Sequence, residues 1–502
     1  MTNSLFDALM GDHRGSDRDF LILPDGATLT YGDIDRMSAR LANLLVAEGV
    51  APGDRVAVQV EKSPEALALF LATIRAGAVF LPLNTAYTPA EIAYFIKDAE
   101  PAFVVCDPAR AERRDDFMSA GAPLLTLATD GTGSLTERAT NQSEQHDPVA
   151  RADEDLAAIL YTSGTTGRSK GAMLSHHNLA SNADTLAEAW HFTEDDVLLH
   201  ALPIFHTHGL FVASNVVMRT GGRMIWLPKF DADTVIRLLP QATAMMGVPT
   251  FYTRLLDHPD FTRDLVANIR LFTSGSAPLL AETHRAFEDR IGHRILERYG
   301  MTETNMNTSN PYDGERRAGT VGFPLPGVDL RITAEDGTEV AQGEIGQIEV
   351  RGDNVFMGYW RMPEKTAEEL GTDGWFKTGD LGMVDPDGYV VIVGRGKDLI
   401  ISGGFNIYPK EVELLIDEMP GVLESAVIGV PHPDFGEGVV AVVARGRETE
   451  PDPDAIVAGL SDRLAKFKQP KRVIVLDELP RNAMGKVQKA ALRADYADLF
   501  TS

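Results

Sequence analysis

Short apolar runs alternate with segments of helical length through the first half of the chain, and this alternation constrains the fold more than any other feature. Residues 55–60, 78–82 and 103–106 have the length and composition of buried strands. The stretches at residues 64–75 and 89–97 that separate or precede them are predicted to be helices. Strands that alternate with helices predict parallel sheets covered by helices.

The alternation continues beyond the middle of the chain, and the composition then changes. Four further strand-like runs occur at residues 197–202, 224–227, 244–248 and 270–273. Between residues 316 and 396 Pro and Gly become frequent and short β-type runs appear, which predicts a small β-rich subdomain.

A separate α+β unit follows this region. A helix at 409–416, strands at 424–430 and 438–443, a helix at 453–466 and a strand at 472–476 fit a domain of about a hundred residues. The predicted fold class is therefore α/β. We expect a large N-terminal domain (1–396) of helix-covered mixed sheets that includes the β-rich subdomain (316–396), and a C-terminal α+β domain (397–502).

Bulk properties exclude several classes of function. The net charge of −26 opposes non-specific binding to nucleic acid or to anionic membranes, so neither is an expected partner. Cys106 is the only cysteine, which rules out an intrachain disulfide and fits a reducing compartment. No apolar run reaches the roughly 20 residues that span a bilayer. We therefore expect a cytoplasmic protein.

A loop of glycine and hydroxyl residues directly follows the apolar run at 156–160. Residues 161–170 read Tyr-Thr-Ser-Gly-Thr-Thr-Gly-Arg-Ser-Lys. Small residues let the backbone approach an oxyanion, and amides and hydroxyls then donate hydrogen bonds to it, so the loop indicates phosphate binding. Its spacing differs from the G-x-x-x-x-G-K-[ST] pattern of the common nucleotide triphosphatases. A flexible surface turn is the alternative at this point.

Five more segments follow in a fixed order and decide between these alternatives. They are Ser-Gly-Ser-Ala-Pro at 274–278, Arg-Tyr-Gly-Met-Thr-Glu at 298–303, Thr-Gly-Asp at 378–380, Gly-Arg-Gly-Lys-Asp at 394–398 and Pro-Arg-Asn-Ala-Met-Gly-Lys at 480–486. With the loop at 162–170 they resemble the adenylate-forming superfamily of acyl-CoA synthetases, peptide-synthetase adenylation domains and luciferases. The resemblance covers essentially the whole chain and is strongest to the malonyl-CoA synthetases.

This resemblance implies a nucleotide site. In the superfamily a carboxylate attacks the α-phosphate of ATP and pyrophosphate leaves, so electrostatic positioning provides most of the catalysis. Glu303 would hold Mg²⁺, Thr302 would contact the α-phosphate, and Asp380 and Arg395 would bind the ribose. The residues implied for the β- and γ-phosphates are Thr162, Ser163, Gly164, Thr165, Thr166, Gly167 and Lys170, and those implied for the adenine are Gly275, Ser276, Ala277 and Tyr299.

The resemblance also implies two half-reactions with a mobile C-terminal domain. Lys486 would neutralise charge between the acyl carboxylate and the α-phosphate, and Lys397 would be the hinge for the second step. In that step CoA displaces AMP, with Ser402, Gly403 and Gly404 lining the pantetheine channel. The sequence around Lys486 further resembles sites at which lysine acetylation inactivates acyl-CoA synthetases. An acetyltransferase and a deacetylase are therefore expected partners.

The acid is predicted from the segment Phe-His-Thr-His-Gly at 205–209 and from Arg298. His206 corresponds to the gate of the acyl pocket, and Arg298 replaces the glycine that many relatives carry before Tyr-Gly. A guanidinium fork suits a second carboxylate, which favours malonate, with methylmalonate as a secondary substrate. A structural salt bridge from Arg298, to Glu297 or to a carboxylate elsewhere, is the competing interpretation. The residues predicted to bind the acyl group are His206, Thr207, Ser276, Arg298, Met301 and Met306.

Two other functions remain open on these residues. One is a synthetase for another small carboxylic acid. The other is a stand-alone adenylation enzyme that loads a carrier protein, although no carrier domain is apparent in the chain.

Overall fold

The structure is a computed structural model of the chain, and it describes residues 2–113, 121–162, 169–402, 405–446, 449–461, 463–482 and 485–500. Within these residues the strands form four sheets, with six, nine, four and five strands. Helices cover the two larger sheets, so the chain has the predicted α/β class.

The six-stranded sheet is parallel except for one edge hairpin. Its central strands are apolar and buried, as expected where helices cover both faces. In spatial order the strands are Leu124–Thr126, Phe103–Cys106, Arg55–Gln59, Val79–Pro82, Leu156–Thr162 and Lys170–Ser175.

The nine-stranded sheet has six parallel strands at its centre and antiparallel pairs at both edges. In spatial order its strands are Phe323–Pro324, Asn305–Ser309, Leu296–Met301, Leu271–Ser274, Ala244–Gly247, Val197–His200, Arg223–Trp226, Asp19–Ile22 and Thr28–Thr30.

Local sequence signals fix where the helices begin. The Thr30 hydroxyl accepts a hydrogen bond from the Asp33 amide, and the Asp33 carboxylate accepts one from the Thr30 amide. Thr88 and Glu91 pair in the same way, so both helices begin with a capping box. The α-helices are Ser4–Met10, Tyr31–Ala47, Pro64–Arg75, Pro89–Ala99, Ser134–Ala139, His176–Ala189, Asn215–Thr220, Ala232–Leu238, Pro249–Leu256, Ala281–Ile291, Pro363–Glu369, Pro409–Asp417, Pro453–Leu460 and Lys489–Asp495.

Shorter helices join these elements. His208–Ser214 is a π-helix that runs directly into the helix Asn215–Thr220. The 3-10 helices are Gly11–His13, Pro108–Arg113, Leu239–Gln241, Asp264–Val266, Gly396–Asp398 and Lys466–Lys468.

The remaining two sheets follow the order predicted for the last third of the chain. The four-stranded antiparallel sheet consists of Val328–Thr333, Gly346–Gly352, Phe376–Val384 and Val390–Arg395. The C-terminal sheet consists of Ile400–Ser402, Phe405–Ile407, Val422–His432, Gly436–Arg445 and Arg472–Leu476.

One expectation for this region was wrong. The helix predicted over 453–466 ends at Leu460, and Lys466–Lys468 forms a separate 3-10 turn. Leu464 still packs into the apolar cluster under the C-terminal sheet, so the apolar pattern of the sequence continues past the end of the helix. The division of the chain into domains at 396 and 397 stays a prediction.

The main hydrophobic core lies between the six-stranded and nine-stranded sheets. It joins residues of both, such as Val56 and Phe80 with Leu198 and Met224, and extends to Ile348 of the four-stranded sheet. Parallel strands present their carboxyl ends at one edge, and ligands bind there in open α/β sheets. The predicted site residues follow three such ends in the nine-stranded sheet, at residues 200, 274 and 301. No helix among the described residues is long and apolar enough to cross a membrane.

Candidate active site

The glycine and hydroxyl loop connects two antiparallel neighbours of the six-stranded sheet. Thr162 ends one strand and pairs with Lys170, which begins the next. Thr162 is half-buried and the Lys170 side chain is buried. The predicted phosphate-binding residues Ser163, Gly164, Thr165, Thr166 and Gly167 lie outside the described residues, so their role stays a prediction.

Lys170 is held by a carboxylate that the sequence interpretation missed. Its ammonium lies 3.1 Å from both carboxylate oxygens of Glu369 and 4.0 Å from the centre of the Tyr359 ring. Glu369 ends the helix Pro363–Glu369 and also accepts a hydrogen bond of 2.6 Å from the Tyr359 hydroxyl. Lys170 is therefore neutralised and oriented before any phosphate binds.

Glu303 joins the same network from the nine-stranded sheet. Its carboxylate is buried, and Oε1 lies 3.1 Å from the Tyr359 hydroxyl. Burial raises the pKa of Glu303, while Lys170 nearby acts in the opposite direction. Thr302 precedes it and is half-buried. Tyr359 thus connects Glu303, which is predicted to bind the metal, with Glu369, which pairs with Lys170.

The chemistry of this position fits Mg²⁺. A small hard cation takes oxygen ligands, and Mg²⁺ commonly binds one or two protein carboxylates together with water and substrate phosphates. Among the described residues no group of three or more His, Cys, Asp or Glu could hold a metal by itself. Glu303 therefore suits a metal that arrives with a polyphosphate rather than a metal held by the protein alone.

Asp380, Arg395 and Tyr299 form a second cluster. Asp380 and Arg395 are register partners on neighbouring strands of the four-stranded sheet, and Arg395 Nε lies 2.6 Å from Asp380 Oδ1. The Tyr299 hydroxyl donates to Asp380 Oδ2 at 2.5 Å. Burial raises the pKa of Asp380, and Arg395 and Tyr299 partly offset this shift. The cluster presents a carboxylate and a guanidinium side by side, which can bind the two hydroxyls of a ribose.

Three small residues follow the strand Leu271–Ser274. Ser276 and Ala277 are half-buried, and Ser276 has a left-handed backbone with φ +69°. Its hydroxyl lies 3.2 Å from His208 Nδ1. A Cβ on Gly275 would overlap the guanidinium of Arg298. Gly275 is therefore required by the close approach of Arg298, a reason that adds to the predicted contact with adenine.

Arg298 is the most unusual group in the site. It is 4% exposed, and its Nε and Nη2 atoms are buried without a hydrogen-bond partner in the described part of the chain. Glu297 does not pair with it, since that carboxylate lies 3.5 Å from His284 Nδ1 and accepts from the Gly319 amide. The competing interpretation of Arg298 as part of a salt bridge to Glu297 is therefore wrong. Successive residues of a strand point to opposite faces, which separates the two side chains.

Burial has a large electrostatic effect on Arg298 but leaves it a cation. Desolvation lowers its pKa to about 9, which still leaves the guanidinium protonated at neutral pH. An isolated buried charge is costly, and proteins rarely retain one without a function. The chain thus keeps a positively charged donor fork that an anionic ligand can satisfy.

The other residues predicted to bind the acyl group are mostly buried, and one of them lies within electrostatic range of Arg298. Desolvation, together with the nearby charges of Lys486 and Arg298, lowers the pKa of His206 to about 3, so the imidazole is neutral. Thr207 is buried with its hydroxyl unpaired within the described residues. Met306 is buried and Met301 half-buried. The pocket therefore combines apolar walls with unpaired polar atoms, an environment suited to a small polar acid.

Lys486 reaches this region from the C-terminal part of the chain. It lies in a turn in which its amide donates to Asn482 Oδ1 at 3.0 Å and Gly485 has φ +74°. The residue is exposed, although its ammonium lies close enough to other groups of the site to be partly desolvated. Desolvation and Arg395 lower its pKa, and the carboxylates of Asp380 and Glu303 raise it. Lys486 is therefore held beside the nucleotide-site carboxylates.

The predicted hinge and thiol channel lie at the start of the C-terminal sheet. Lys397 is exposed in the 3-10 helix Gly396–Asp398, and Asp398 pairs with Arg493 at 3.0 Å. Ser402 is buried at the end of the strand Ile400–Ser402. Gly403 and Gly404 lie outside the described residues.

Comparison with known proteins agrees with this geometry. Residues 11–360 match the family described as AMP-binding enzyme, and residues 411–486 match the AMP-binding enzyme C-terminal domain. The chain belongs to the AMP-binding enzyme family. It is 34% identical to the malonate–CoA ligase of Arabidopsis thaliana, over 97% of this chain and 88% of that protein. It is 35% identical to the sulfoacetate–CoA ligase of Cupriavidus necator, over 95% of this chain and 94% of that protein.

Solved structures of this AMP-binding family give a stronger likeness. The ATP-bound crystal structure of MatB from Rhodopseudomonas palustris superposes with a TM-score of 0.96 at 58% identity, with 100% of both chains covered. The apo structure of the same protein gives 0.86. The chain is an enzyme of the acid–thiol ligase class.

We expect the Tyr299→Phe substitution to weaken ATP binding roughly tenfold, or about 1.4 kcal/mol. The variant loses the hydroxyl that holds Asp380, so the carboxylate is less well oriented toward the ribose. ATP titration of the purified enzyme measures the effect. Tyr31→Phe is the matched control, since that buried hydroxyl donates to a backbone carbonyl at Gly222 away from the site. Equal ATP affinity in both variants would contradict the expectation.

Proposed function

We propose that the chain ligates malonate to coenzyme A through a malonyl-adenylate. One carboxylate of malonate attacks the α-phosphate of ATP and releases pyrophosphate. The CoA thiol then attacks the acyl carbon, AMP leaves, and malonyl-CoA forms. The observation that carries this proposal is the buried guanidinium of Arg298, whose Nε and Nη2 have no hydrogen-bond partner among the described residues and whose charge acts on His206.

The first half-reaction depends on cations at several points. Lys170 and the loop before it would bind the β- and γ-phosphates, and Glu303 would hold Mg²⁺, which neutralises phosphate charge. Thr302 would contact the α-phosphate. Asp380 and Arg395 would bind the ribose, with the adenine against Tyr299 and the segment Gly275, Ser276 and Ala277. Lys486 would stabilise charge on the α-phosphate as the carboxylate attacks.

The second half-reaction requires Lys486 to leave the cleft. Rotation of the C-terminal region about Lys397 would remove its ammonium and bring Ser402, Gly403 and Gly404 to the pantetheine arm. A hinge needs only a large change in backbone dihedral angles at a few residues. The 3-10 helix Gly396–Asp398 leads into this segment.

Arg298 selects the acid in this proposal. Its fork would bind the second carboxylate of malonate through paired charge-assisted hydrogen bonds. An acid with one carboxylate would leave the guanidinium buried and unpaired. Sites built to satisfy a polar partner reject analogues that lack it by about 10⁴-fold. An added methyl group costs only about 1–3 kcal/mol, so methylmalonate is the expected secondary substrate.

A substrate panel tests the proposal and its alternatives. Thioester formation would be measured with ATP, CoA and one of malonate, methylmalonate, sulfoacetate, succinate, acetate or ferulate. We expect malonate to have the highest kcat/KM. A higher value for sulfoacetate or ferulate would assign the chain to another small-acid ligase. Transfer to a phosphopantetheinylated carrier protein in preference to CoA would support the carrier-loading alternative.

Replacement of Arg298 provides the sharpest single prediction. In Arg298→Met we expect malonate-dependent pyrophosphate exchange to fall about 10³-fold, because a charged pair of hydrogen bonds is lost. The substrate-free variant should also unfold at a higher temperature than wild type, since it no longer buries an unpaired charge. Unchanged exchange with malonate would contradict the role of Arg298. Arg298→Lys, which keeps charge without the fork, should retain intermediate activity.

The network around Tyr359 predicts a change in the magnesium requirement. Loss of a group that orients a metal ligand typically costs 10–100-fold in metal affinity or activity. We therefore expect Tyr359→Phe to need about tenfold more Mg²⁺ for half-maximal pyrophosphate exchange. Tyr87→Phe, a substitution outside this network, is the control. If both variants required the same Mg²⁺ concentration, Tyr359 would have no role in metal binding.

Lys486 should act in only one half-reaction. We expect Lys486→Gln to slow malonyl-adenylate formation at least about 100-fold, because the charge beside the α-phosphate is removed. Conversion of added malonyl-adenylate to malonyl-CoA should change less than about fivefold. Lys489→Gln is the control, since Lys489 pairs with Glu413 at 2.5 Å. Equal losses in both half-reactions would show that Lys486 serves the fold instead.

We further propose that acetylation of Lys486 switches the enzyme off, with an acetyltransferase and a deacetylase as partners. Its side chain is solvent-accessible, and acetylation would remove the same charge as Lys486→Gln. Mass spectrometry of active and inactive enzyme from cells tests this regulation, and an unmodified Lys486 in both pools would exclude it. The single, buried Cys106 supports a reducing location such as the cytoplasm.

A further inference from the structure

A buried lysine and histidine form a pair behind the predicted acyl pocket. Lys62 is 3% exposed and His200 is 1% exposed. Lys62 Nζ lies 2.7 Å from His200 Nδ1 and 2.7 Å from the His200 carbonyl oxygen, and its ammonium is 4.0 Å from the centre of the Trp226 ring. No carboxylate of the described chain lies within ion-pair distance of Lys62.

The pair connects the two large sheets. Lys62 follows the strand Arg55–Gln59 of the six-stranded sheet and precedes the helix Pro64–Arg75. His200 is the last residue of the strand Val197–His200 in the nine-stranded sheet, where it is the register partner of Trp226. Burial lowers the pKa of Lys62 well below its usual value, so this contact is costly. A costly buried polar contact requires an explanation.

The second nitrogen of His200 shows what the pair holds. Nε2 lies 2.8 Å from the carbonyl oxygen of Gly209, inside the π-helix His208–Ser214. A carbonyl oxygen can only accept, so Nε2 carries the proton and donates to Gly209, and in the neutral ring Nδ1 is then the acceptor for Lys62. The Ser214 hydroxyl donates to the same carbonyl at 2.9 Å. The widened turn of the π-helix is thereby fixed at its first residues.

The contact closes the loop that carries the acyl-pocket residues. His206 and Thr207 lie between His200 and Gly209, and the Leu210 amide donates to the His206 carbonyl at 3.0 Å. A Cβ on Gly209 would overlap the carbonyl oxygen of Pro203, so the loop is packed against its own far end. Movement of His200 would therefore displace the pocket wall.

We propose that Lys62 and His200 are positioning residues for acid recognition: Lys62 fixes the tautomer and orientation of His200, and His200 holds the loop 201–209 through the Gly209 carbonyl. Neither residue touches the acid. This inference rests on the proposed function in one respect, since it takes 206 and 207 as the wall of the acyl pocket.

Two substitutions of His200 test the roles of its two ring nitrogens separately. Gln places an amide near the position of Nε2 and can still donate to Gly209, whereas Asn matches Nδ1 and cannot. We expect His200→Asn and Lys62→Met to raise the KM for the acid about tenfold with the KM for ATP within twofold of wild type. His200→Gln should stay within about threefold in both. Arg75→Met is the matched control, because Arg75 is a buried cation at the opposite end of the helix that follows Lys62.

A substrate-free measurement keeps this test independent of the identity of the acid. Hydrogen exchange of peptides covering 201–214 should be at least about tenfold faster in His200→Asn and Lys62→Met, and unchanged in Arg75→Met. Unchanged exchange in the first two variants would overturn the proposal, as would a parallel rise of both KM values. The KM arm uses whichever acid of the panel the wild type converts fastest. If malonate is not that acid, the proposed substrate fails while faster exchange still supports the positioning role.

Discussion

Bringing a carboxylate up to a polyphosphate sets groups of like charge against each other, and the site depends on cations held at fixed positions to overcome this. The structure differentiates these cations by their counter-ions. Lys170 is paired with Glu369 and Arg395 with Asp380, whereas Arg298 has two buried nitrogens with no partner in the described chain. The charge balance is therefore complete where the nucleotide is predicted to bind and incomplete where the acid is. In the proposed function, the second carboxylate of the acid would supply the missing negative charge.

The paired cations Lys170 and Arg395 are held in place before a nucleotide binds. Glu369 and the Tyr359 ring hold the Lys170 ammonium in place, so less side-chain entropy is lost when a phosphate arrives. The Tyr359 hydroxyl extends this support to Glu303. Such preorganisation is the main source of electrostatic catalysis, because the dipoles and charges need not reorient during the reaction. The stabilising pairs and the catalytic geometry are in this sense the same contacts.

The sequence predicted the parts of the fold that depend on local pattern. Strand and helix positions in the first half of the chain, such as Pro64–Arg75 and Phe103–Cys106, agree with the structure because apolar period and length determine them. Two residues that separate motifs assigned to one site, Asp380 and Arg395, are in contact in the structure, while their role in binding a nucleotide stays a prediction. The helix over 453–466 was too long, since buried apolar residues continue past the end of the helix.

Residues that act through tertiary contacts could not be found in this way. Glu369 lies 199 positions from Lys170, and Lys62 lies 138 positions from His200. The sequence around Glu369 looks like an ordinary helix end and that around Lys62 like an ordinary turn. Only the tertiary structure shows that these side chains meet. Sequence reasoning likewise proposed two roles for Arg298, a salt bridge or a contact with the acid. The structure rules out the salt bridge to Glu297, and the contact with the acid stays a prediction.

Overall similarity to known ligases does not identify the acid, so the acid has to be inferred from the residues of the site. The chain is 34% identical to a malonate–CoA ligase, 35% to a sulfoacetate–CoA ligase and 37% to a feruloyl-CoA synthase. A shared fold supports many substrates by changing residues at the site. In the proposed function, a small acid with a second anionic group would satisfy the charge of Arg298, whereas an acid such as ferulate, which has one carboxylate, would leave it unsatisfied.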